Sequence, residues 1–122
     1  MPIPNDYKDI VTTLLEKTNS GRVHWKRTRF GIEVQVDKSG FKLWSGTDEH
    51  TDEAFVAFAL NDMTGTTIDS WYVDAGDSDF DRMNLLFIAA KRYAQGIPQK
   101  LRELKEAMSN QDYLGAPEKD DV

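Results

Sequence analysis

The spacing of apolar residues along the 122-residue chain changes twice, and each change predicts a change of secondary structure. The first set recurs every three or four positions and comprises Tyr7, Ile10, Val11, Leu14 and Leu15. This spacing is typical of an amphipathic helix with one buried stripe. Asn5 or Asp6 suits the N-cap and Gly21 suits the stop, so we predict a helix over residues 6–19.

After Gly21, apolar and polar positions alternate, as in strands that bury one face. The alternation predicts four strands, which cover residues 30–36, 41–44, 54–60 and 66–73. Turn-forming residues at 37–40 and 61–65 separate consecutive strands. Val23 and Trp25 fit either the start of the first strand or a short strand before it.

The helical spacing returns at Phe80 and ends at Gly96, and Ile97-Pro98 begins a further helix. The apolar stripe of that last helix comprises Leu101, Leu104 and Met108. We therefore expect one domain over residues 1–108, followed by a flexible acidic tail over 109–122. The order α-β-β-β-β-α-α predicts an α+β two-layer sandwich, with three helices on one face of a four-stranded antiparallel meander sheet.

Such a fold leaves the second face of the sheet open. We take the alternating apolar residues from Phe30 to Leu60 to face the helices. The residues that then face away are Trp44, Phe55, Ala57 and Ala59, together with one of Trp71 and Tyr72. An exposed aromatic patch usually marks an interface. The predicted interaction surface comprises Trp44, Phe55, Ala57, Trp71 and Tyr72, together with the acidic loop residues Asp48, Glu49 and Asp52. A bulged strand, or the tail folded over this face, is the alternative.

Charge is distributed unevenly along the chain, whose net charge is −6. Between Lys42 and Arg82 there is no Lys or Arg, while residues 22–29 contain no acid and four basic residues, Arg22, Lys26, Arg27 and Arg29. Basic residues interleaved with Trp25 suit phosphate contacts and stacking on an unpaired base. The competing interpretation is an edge strand protected by its charges. A nucleic-acid or nucleotide-binding sheet is therefore the alternative function.

The composition excludes several classes of chemistry and location. There is no cysteine, which excludes disulfides, thiolate metal sites and thiol nucleophiles. No apolar run is long enough to span a membrane, and residues 1–9 lack the features of a signal peptide. We expect a cytoplasmic protein that has no membrane association.

Two acidic clusters invite a metal-site interpretation. Asp77, Asp79 and Asp81 alternate as at the start of a calcium loop, but the required glycine and bidentate glutamate are replaced by Arg82 and Ile88. We expect Asp77 or Asp79 to cap the following helix instead. The second cluster comprises Asp48, His50 and Asp52, and it lacks a converging further ligand. We therefore predict no metal, no cofactor and no enzymatic activity.

Three stretches, residues 14–25, 58–65 and 85–94, resemble a pattern in small uncharacterised bacterial and phage α+β proteins. The first contains Leu14-Leu15-Glu16-Lys17-Thr18, Gly21 and Trp25, and the second Phe58-Ala59-Leu60-Asn61-Asp62 and Gly65. The resemblance covers most of the chain, carries no assigned activity and transfers no functional residue. It implies a prokaryotic or viral source and a place in bacterial or phage conflict systems. The leading hypothesis is a non-enzymatic protein-interaction or regulatory module that binds a protein partner or forms a homodimer.

Overall fold

The computed structural model describes residues 2–115 and contains one antiparallel sheet of five strands. In chain order the elements are a 3-10 turn (Asn5–Tyr7), α1 (Lys8–Asn19), β1 (Lys26–Thr28), β2 (Gly31–Val36), β3 (Ser39–Thr47), β4 (Ala54–Asn61), β5 (Thr67–Asp74), α2 (Phe80–Ala94) and α3 (Ile97–Asn110). The strands lie in the order β1-β2-β3-β4-β5, so each pairs with its neighbour in the chain. The α+β class and the antiparallel meander are confirmed, and the strand count is corrected from four to five.

The additional strand is β1, which lies inside the basic segment 22–29 and forms one edge of the sheet. Its three residues are polar and exposed, so the only sequence signal for it comes from Val23 and Trp25, which precede it and fit a short strand before the first predicted one. Phe30, predicted to be a buried residue of the first strand, lies in the turn between β1 and β2 and is 70% exposed. The element order therefore differs from the prediction by β1 and by the 3-10 turn before α1.

α1 and α2 cover one face of the sheet, and the core lies between them and the strands. Val11 and Leu14 enter it from α1, and Met83, Leu86 and Ala90 enter it from α2. From the strands it receives Ile32, Val34, Leu43, Val56, Phe58, Trp71 and Val73. Large buried side chains occupy every second position of β2, β4 and β5, and they show which face of the sheet meets the helices.

Two hydrogen-bonded links tie α1 and the turn before it to the rest of the fold. The Tyr7 hydroxyl donates to Asp69 of β5 at 2.7 Å. The indole nitrogen of Trp25 donates to Thr18 at 2.9 Å, and the Thr18 hydroxyl donates to the Leu14 carbonyl at 2.6 Å. Trp25, whose position the sequence left open, is therefore a buried core residue.

α3 does not cover the sheet, contrary to the prediction. In the described part of the chain it packs against α2 and no other element, and none of its residues is buried. Its apolar stripe stays open, and Leu104 is 50% exposed. Ser109 and Asn110, assigned to the tail from sequence, belong to α3, whereas the tail residues 116–122 lie outside the described residues. No helix within residues 2–115 combines the length and apolar character that a membrane crossing requires.

Candidate interaction surface

The sheet face opposite α1 and α2 is here called the outer face. On β3 to β5 it includes Lys42, Trp44, Phe55, Ala57, Ala59, Ser70 and Tyr72, and on β1 and β2 it includes Lys26, Glu33 and Gln35. The pairing register of the strands sets the order of these residues across the face. Trp44, Ala57 and Tyr72 form one row across β3, β4 and β5, because Trp44 pairs with Ala57 and Ala57 with Tyr72. The prediction that Trp44, Phe55 and Ala57 lie on the face away from the helices agrees with this register.

The centre of the outer face is a shallow recess of about 360 Å³, lined by Trp44, Phe55, Ala57 and the Ser70–Tyr72 stretch. The rings of Phe55 and Tyr72 meet edge to face, with centroids 6.0 Å apart. Ala57 forms the floor and is only 3% exposed, because the large rings of its row neighbours rise on either side of its methyl group. The recess is therefore an apolar depression with aromatic walls, here called the aromatic recess.

Trp71 was assigned to the interaction surface together with Tyr72, and the structure corrects this assignment. The Trp71 ring is buried on the helix side of the sheet, where it stacks on Phe58 with centroids 5.0 Å apart. Its indole N–H finds no acceptor among residues 2–115. Tyr72, the next residue, points to the opposite face and is 45% exposed. Of the two aromatic side chains, Tyr72 supplies the outer face.

Basic side chains flank the aromatic recess on the side of β1 to β3. The Lys42 ammonium lies 5.6 Å from the centroid of the Phe30 ring and 5.9 Å from that of Trp44. The Arg29 guanidinium lies 5.4 Å from the same Phe30 ring. These distances are within the range of cation–π attraction. Neither Phe30 nor Lys42 was among the residues predicted for a site, since Phe30 was assigned to the core.

The predicted basic cluster does not converge. Lys26 and Arg27 are consecutive residues of β1, so their side chains leave opposite faces of the sheet. Arg29 lies in the following turn, whereas Arg22 lies beyond the C-terminal end of α1. The segment matches the predicted edge strand, and it does not gather four cations into one site.

The acidic loop between β3 and β4 uses part of its charge to hold its own backbone. The Asp48 carboxylate accepts hydrogen bonds from the N–H groups of His50 and Thr51, at 2.7 and 3.3 Å. Glu49 and Asp52 are exposed, and Asp52 has a left-handed backbone with φ of 57°. The loop follows directly from the row that contains Phe55, so its exposed carboxylates, which include that of Glu53, lie at one end of the outer face.

The acidic clusters do not form a metal site in the described chain, where no group of three His, Cys, Asp or Glu side chains is arranged to hold an ion. The Asp79 carboxylate accepts the Ile3 N–H at 2.9 Å and makes no bond to the N–H groups of α2. The Asp77 carboxylate accepts the Asp79 N–H at 2.8 Å, ahead of the helix. Asp79 occupies the N-cap position of α2, as expected for one of the two residues, but makes no side-chain hydrogen bond to the helix. The Asp77 side chain stabilises the turn that leads into the helix, and Asp79 ties that turn to Ile3.

A larger groove of about 1060 Å³ lies between α1, residues 22–26, β2 and the β4–β5 turn. Its basic side chains include Lys17, Arg22 and Lys26, and its acidic ones are Asp9, Glu33 and Asp62. Asp62 is engaged in its own turn, where hydrogen bonds from Thr64 and Thr66 hold the pKa of its carboxyl below its usual value. The mixed charges give this groove no preference for one sign of ligand, which distinguishes it from the apolar aromatic recess.

Comparisons of the chain with protein-family models, curated proteins and solved structures find no significant match. The geometry and charge of the outer face are therefore the basis for assigning a function to the protein.

Proposed function

We propose that the protein is a non-enzymatic protein-interaction module that binds its partner through the outer face. The observation that carries the proposal is the aromatic recess, in which the half-buried rings of Trp44 and Phe55 and the exposed ring of Tyr72 meet on a sheet face that no described helix covers. Aromatic clusters that stay in contact with water are characteristic of binding surfaces.

The composition of the surface supports a protein partner. Tyr and Trp are the residues that most often dominate binding energy, and they do so where an apolar centre is surrounded by polar groups. Here Trp44, Phe55 and Tyr72 surround the recess, and the exposed carboxylates of Glu49 and Asp52 lie beyond one end of it. The acidic loop then acts as a polar rim that selects the charge of the partner. A regulatory role in a bacterial or phage conflict system is proposed from the sequence resemblance alone.

The test compares Trp44→Glu with Met63→Glu by cross-linking and mass spectrometry in a lysate of the source organism. Met63 is 69% exposed and lies in the β4–β5 turn away from the aromatic recess, so it controls for an added surface charge. We expect a cross-linked partner that is lost with Trp44→Glu and retained with Met63→Glu. The same partner captured equally by both variants would exclude the outer face as the binding site.

Light scattering of the same variants tests the homodimer form of the proposal. If the outer face joins two copies, the wild type and Met63→Glu are dimers and Trp44→Glu is a monomer. A dimer that survives Trp44→Glu is held by another surface and excludes self-association through the outer face.

The second candidate function is single-strand nucleic-acid binding. It is favoured by the Lys42 ammonium, which lies beside the rings of Phe30 and Trp44. Stacking platforms flanked by basic residues bind unpaired bases with affinity that falls steeply with salt. Fluorescence anisotropy with a labelled oligothymidine tests it. Binding at low salt that Phe30→Ala weakens and Arg102→Ala does not would support it. Absent or salt-independent binding would exclude it.

A further inference from the structure

β5 forms the second edge of the sheet, opposite β1, and the two edges differ in how they are protected. β1 has three residues, of which Lys26 and Arg27 are basic. β5 has eight residues and contains no Lys, Arg or Pro. Short strands, charged side chains, prolines and bulges are the usual devices that keep an edge from pairing with another chain. β1 is short and basic, whereas the devices of β5, which are the charged residues Asp69 and Asp74 and the register shift at Leu60 and Asn61, leave its centre at Tyr72 unprotected.

The pairing of β5 with β4 shows which backbone groups remain open. The Ala75 N–H donates to the Ala54 carbonyl at 2.8 Å, so the odd-numbered residues of β5 direct their backbone groups toward β4. Ser70, Tyr72 and Asp74 therefore direct theirs away from the sheet. Among these, the Tyr72 N–H and carbonyl and the Ser70 carbonyl have no hydrogen-bond partner within residues 2–115.

One end of this edge is partly closed. The Ser70 N–H donates to the Asp69 carboxylate at 2.9 Å, which occupies one outward donor. Asp69 is held in place by the hydrogen bond from Tyr7. The open stretch is consequently centred on Tyr72, whose side chain is also a wall of the aromatic recess.

The charge around β5 identifies the kind of strand that would pair with it. The 39 residues from 43 to 81, which include both β4 and β5, contain ten acids and no Lys or Arg. A second β5 would bring like charges together, and residues 116–122 carry three acids against one lysine. A basic strand complements this surface.

From the open backbone, the aromatic recess and the acidic surroundings, we propose that an extended basic segment of a partner protein adds to the sheet as a sixth strand beside β5 and antiparallel to it. The inference deepens the proposed function and rests on it, because it assigns the mode of binding at the outer face. Strand addition gives affinity through main-chain hydrogen bonds and specificity through alternate side chains.

The geometry fixes which side chains of the partner matter. Residues that pair with Ser70 and Tyr72 place their side chains on the outer face, since paired residues share a face. Ser70 is small, so an apolar side chain opposite it reaches over it toward Ala57 in the aromatic recess. Lysine or arginine at the intervening positions meets the acidic surroundings of the strand. The expected segment therefore alternates apolar and basic residues.

The probe is a seven-residue peptide in which lysine alternates with valine, acetylated and amidated at its ends. One derivative carries N-methyl groups on the valines and the other carries them on the lysines. Binding is measured by NMR titration of the isotope-labelled protein, with hydrogen exchange of the Tyr72 amide as the specific signal. Ser70→Lys adds a cation at the edge, and Gln99→Lys makes the same charge change at an exposed position of α3, which packs against α2 and no strand of the described chain.

We expect the parent peptide to slow exchange at Tyr72, and methylation of the valines, which pair with β5, to abolish binding. Methylation of the lysines retains binding, since their amides point away from the sheet. Ser70→Lys weakens binding about tenfold more than Gln99→Lys, as expected when one edge contact of about 1.4 kcal/mol is lost. No binding by the parent peptide, equal affinity of all three peptides, or loss with the lysine derivative alone would overturn the proposal. So would self-association of the wild type that Ser70→Lys abolishes, because the occupant of the edge would then be a second copy.

Trp44→Glu separates this inference from the proposed function. Equal affinity of the three peptides for the wild type, lost in Trp44→Glu, would overturn strand addition and leave the outer face as the binding site. The expected methylation pattern without any effect of Trp44→Glu would overturn the outer face and retain pairing at β5.

Discussion

The ring of Phe55 lies directly over Gly46, its partner across the β3–β4 pair. A Cβ added at Gly46 would lie 2.7 Å from the Cζ atom of Phe55, closer than carbon atoms approach without displacement. A side chain at this position would therefore push the ring away. Glycine at 46 is what allows Phe55 to lie flat along the strand pair and to meet Tyr72 as a wall of the aromatic recess.

Gly46→Ala should alter the aromatic recess without unfolding the protein. The clash involves the far end of a side chain that can rotate, so we expect the free energy of unfolding to change by less than about 1 kcal/mol. The Phe55 ring should move from its position 6.0 Å from Tyr72, which weakens the nuclear Overhauser contacts between the two rings. Gly40→Ala is the control, because its nearest contact would be the Gln35 side chain at 3.4 Å. Unchanged ring contacts in Gly46→Ala would contradict the role given to this glycine.

Gly31→Ala should behave differently from Gly46→Ala, although both glycines lie in strands. A Cβ at Gly31 would lie 2.4 Å from the Leu43 carbonyl oxygen, which belongs to the backbone of β3 and cannot rotate away. Relief requires a shift of β2 against β3, so we expect a loss of about 1–3 kcal/mol in unfolding free energy. Urea denaturation measures it, and stability equal to that of Gly46→Ala would show that the strands adjust freely.

Hydrophobic periodicity predicted most of the sheet because a strand with one buried face records that face at every second residue. Ile32, Leu43 and Phe58 are buried as the alternation requires. β1 has no buried residue, and only Val23 and Trp25 ahead of it suggested a short strand, whereas Phe30 extended the alternation one residue before the start of β2. The alternation of apolar residues is a signal of burial. It therefore does not locate an exposed strand such as β1 or an exposed ring such as that of Phe30.

A smaller part of the candidate interaction surface than of the sheet could be predicted from the sequence. Trp44 and Phe55 could be assigned to the outer face because their strand neighbours are clearly apolar. Trp71 and Tyr72 are consecutive aromatics, so periodicity required one on each face but could not choose between them. The choice depends on the register between β4 and β5, which shifts at Leu60 and Asn61. The free edge at Tyr72 depends on strand order, which a single sequence does not contain.

Leu104→Ala should cost little stability, in contrast to Leu86→Ala. Both leucines lie on the apolar stripes of adjacent helices, but Leu86 is fully buried whereas Leu104 is 50% exposed. We expect a loss of about 2–5 kcal/mol for Leu86→Ala, which leaves a cavity. For Leu104→Ala we expect a change within about 0.5 kcal/mol, because alanine is a good helix former and half of the Leu104 side chain is already exposed to solvent. A loss above about 2 kcal/mol at Leu104 would show that another part of the chain covers α3.

The hydrogen bond from Tyr7 to Asp69 should make stability fall in alkaline solution. Burial, followed by the hydrogen bond to Asp69 and the charges of Asp69 and Asp6, raises the pKa of Tyr7 above its usual value of 10.0. The unfolded chain then loses the Tyr7 proton at a lower pH than the folded chain does. This contribution to stability is complete below pH 10 and declines as the pH rises above it.

Tyr7→Phe removes both the hydrogen bond and the titrating group, so the difference in stability between the variant and the wild type should depend on pH. At pH 7 we expect a loss of about 1–2 kcal/mol, because the Asp69 carboxylate loses a donor. Above pH 10 the difference between the variant and the wild type should shrink, since the wild type alone carries the Tyr7 titration. Urea denaturation at pH 7, 9 and 10.5 measures both effects, and Tyr113→Phe, at an 88% exposed position, should retain the wild-type profile. A constant difference across this range would show that Tyr7 titrates alike in the folded and unfolded chains, and would reduce its role to packing against Phe58 and Trp71.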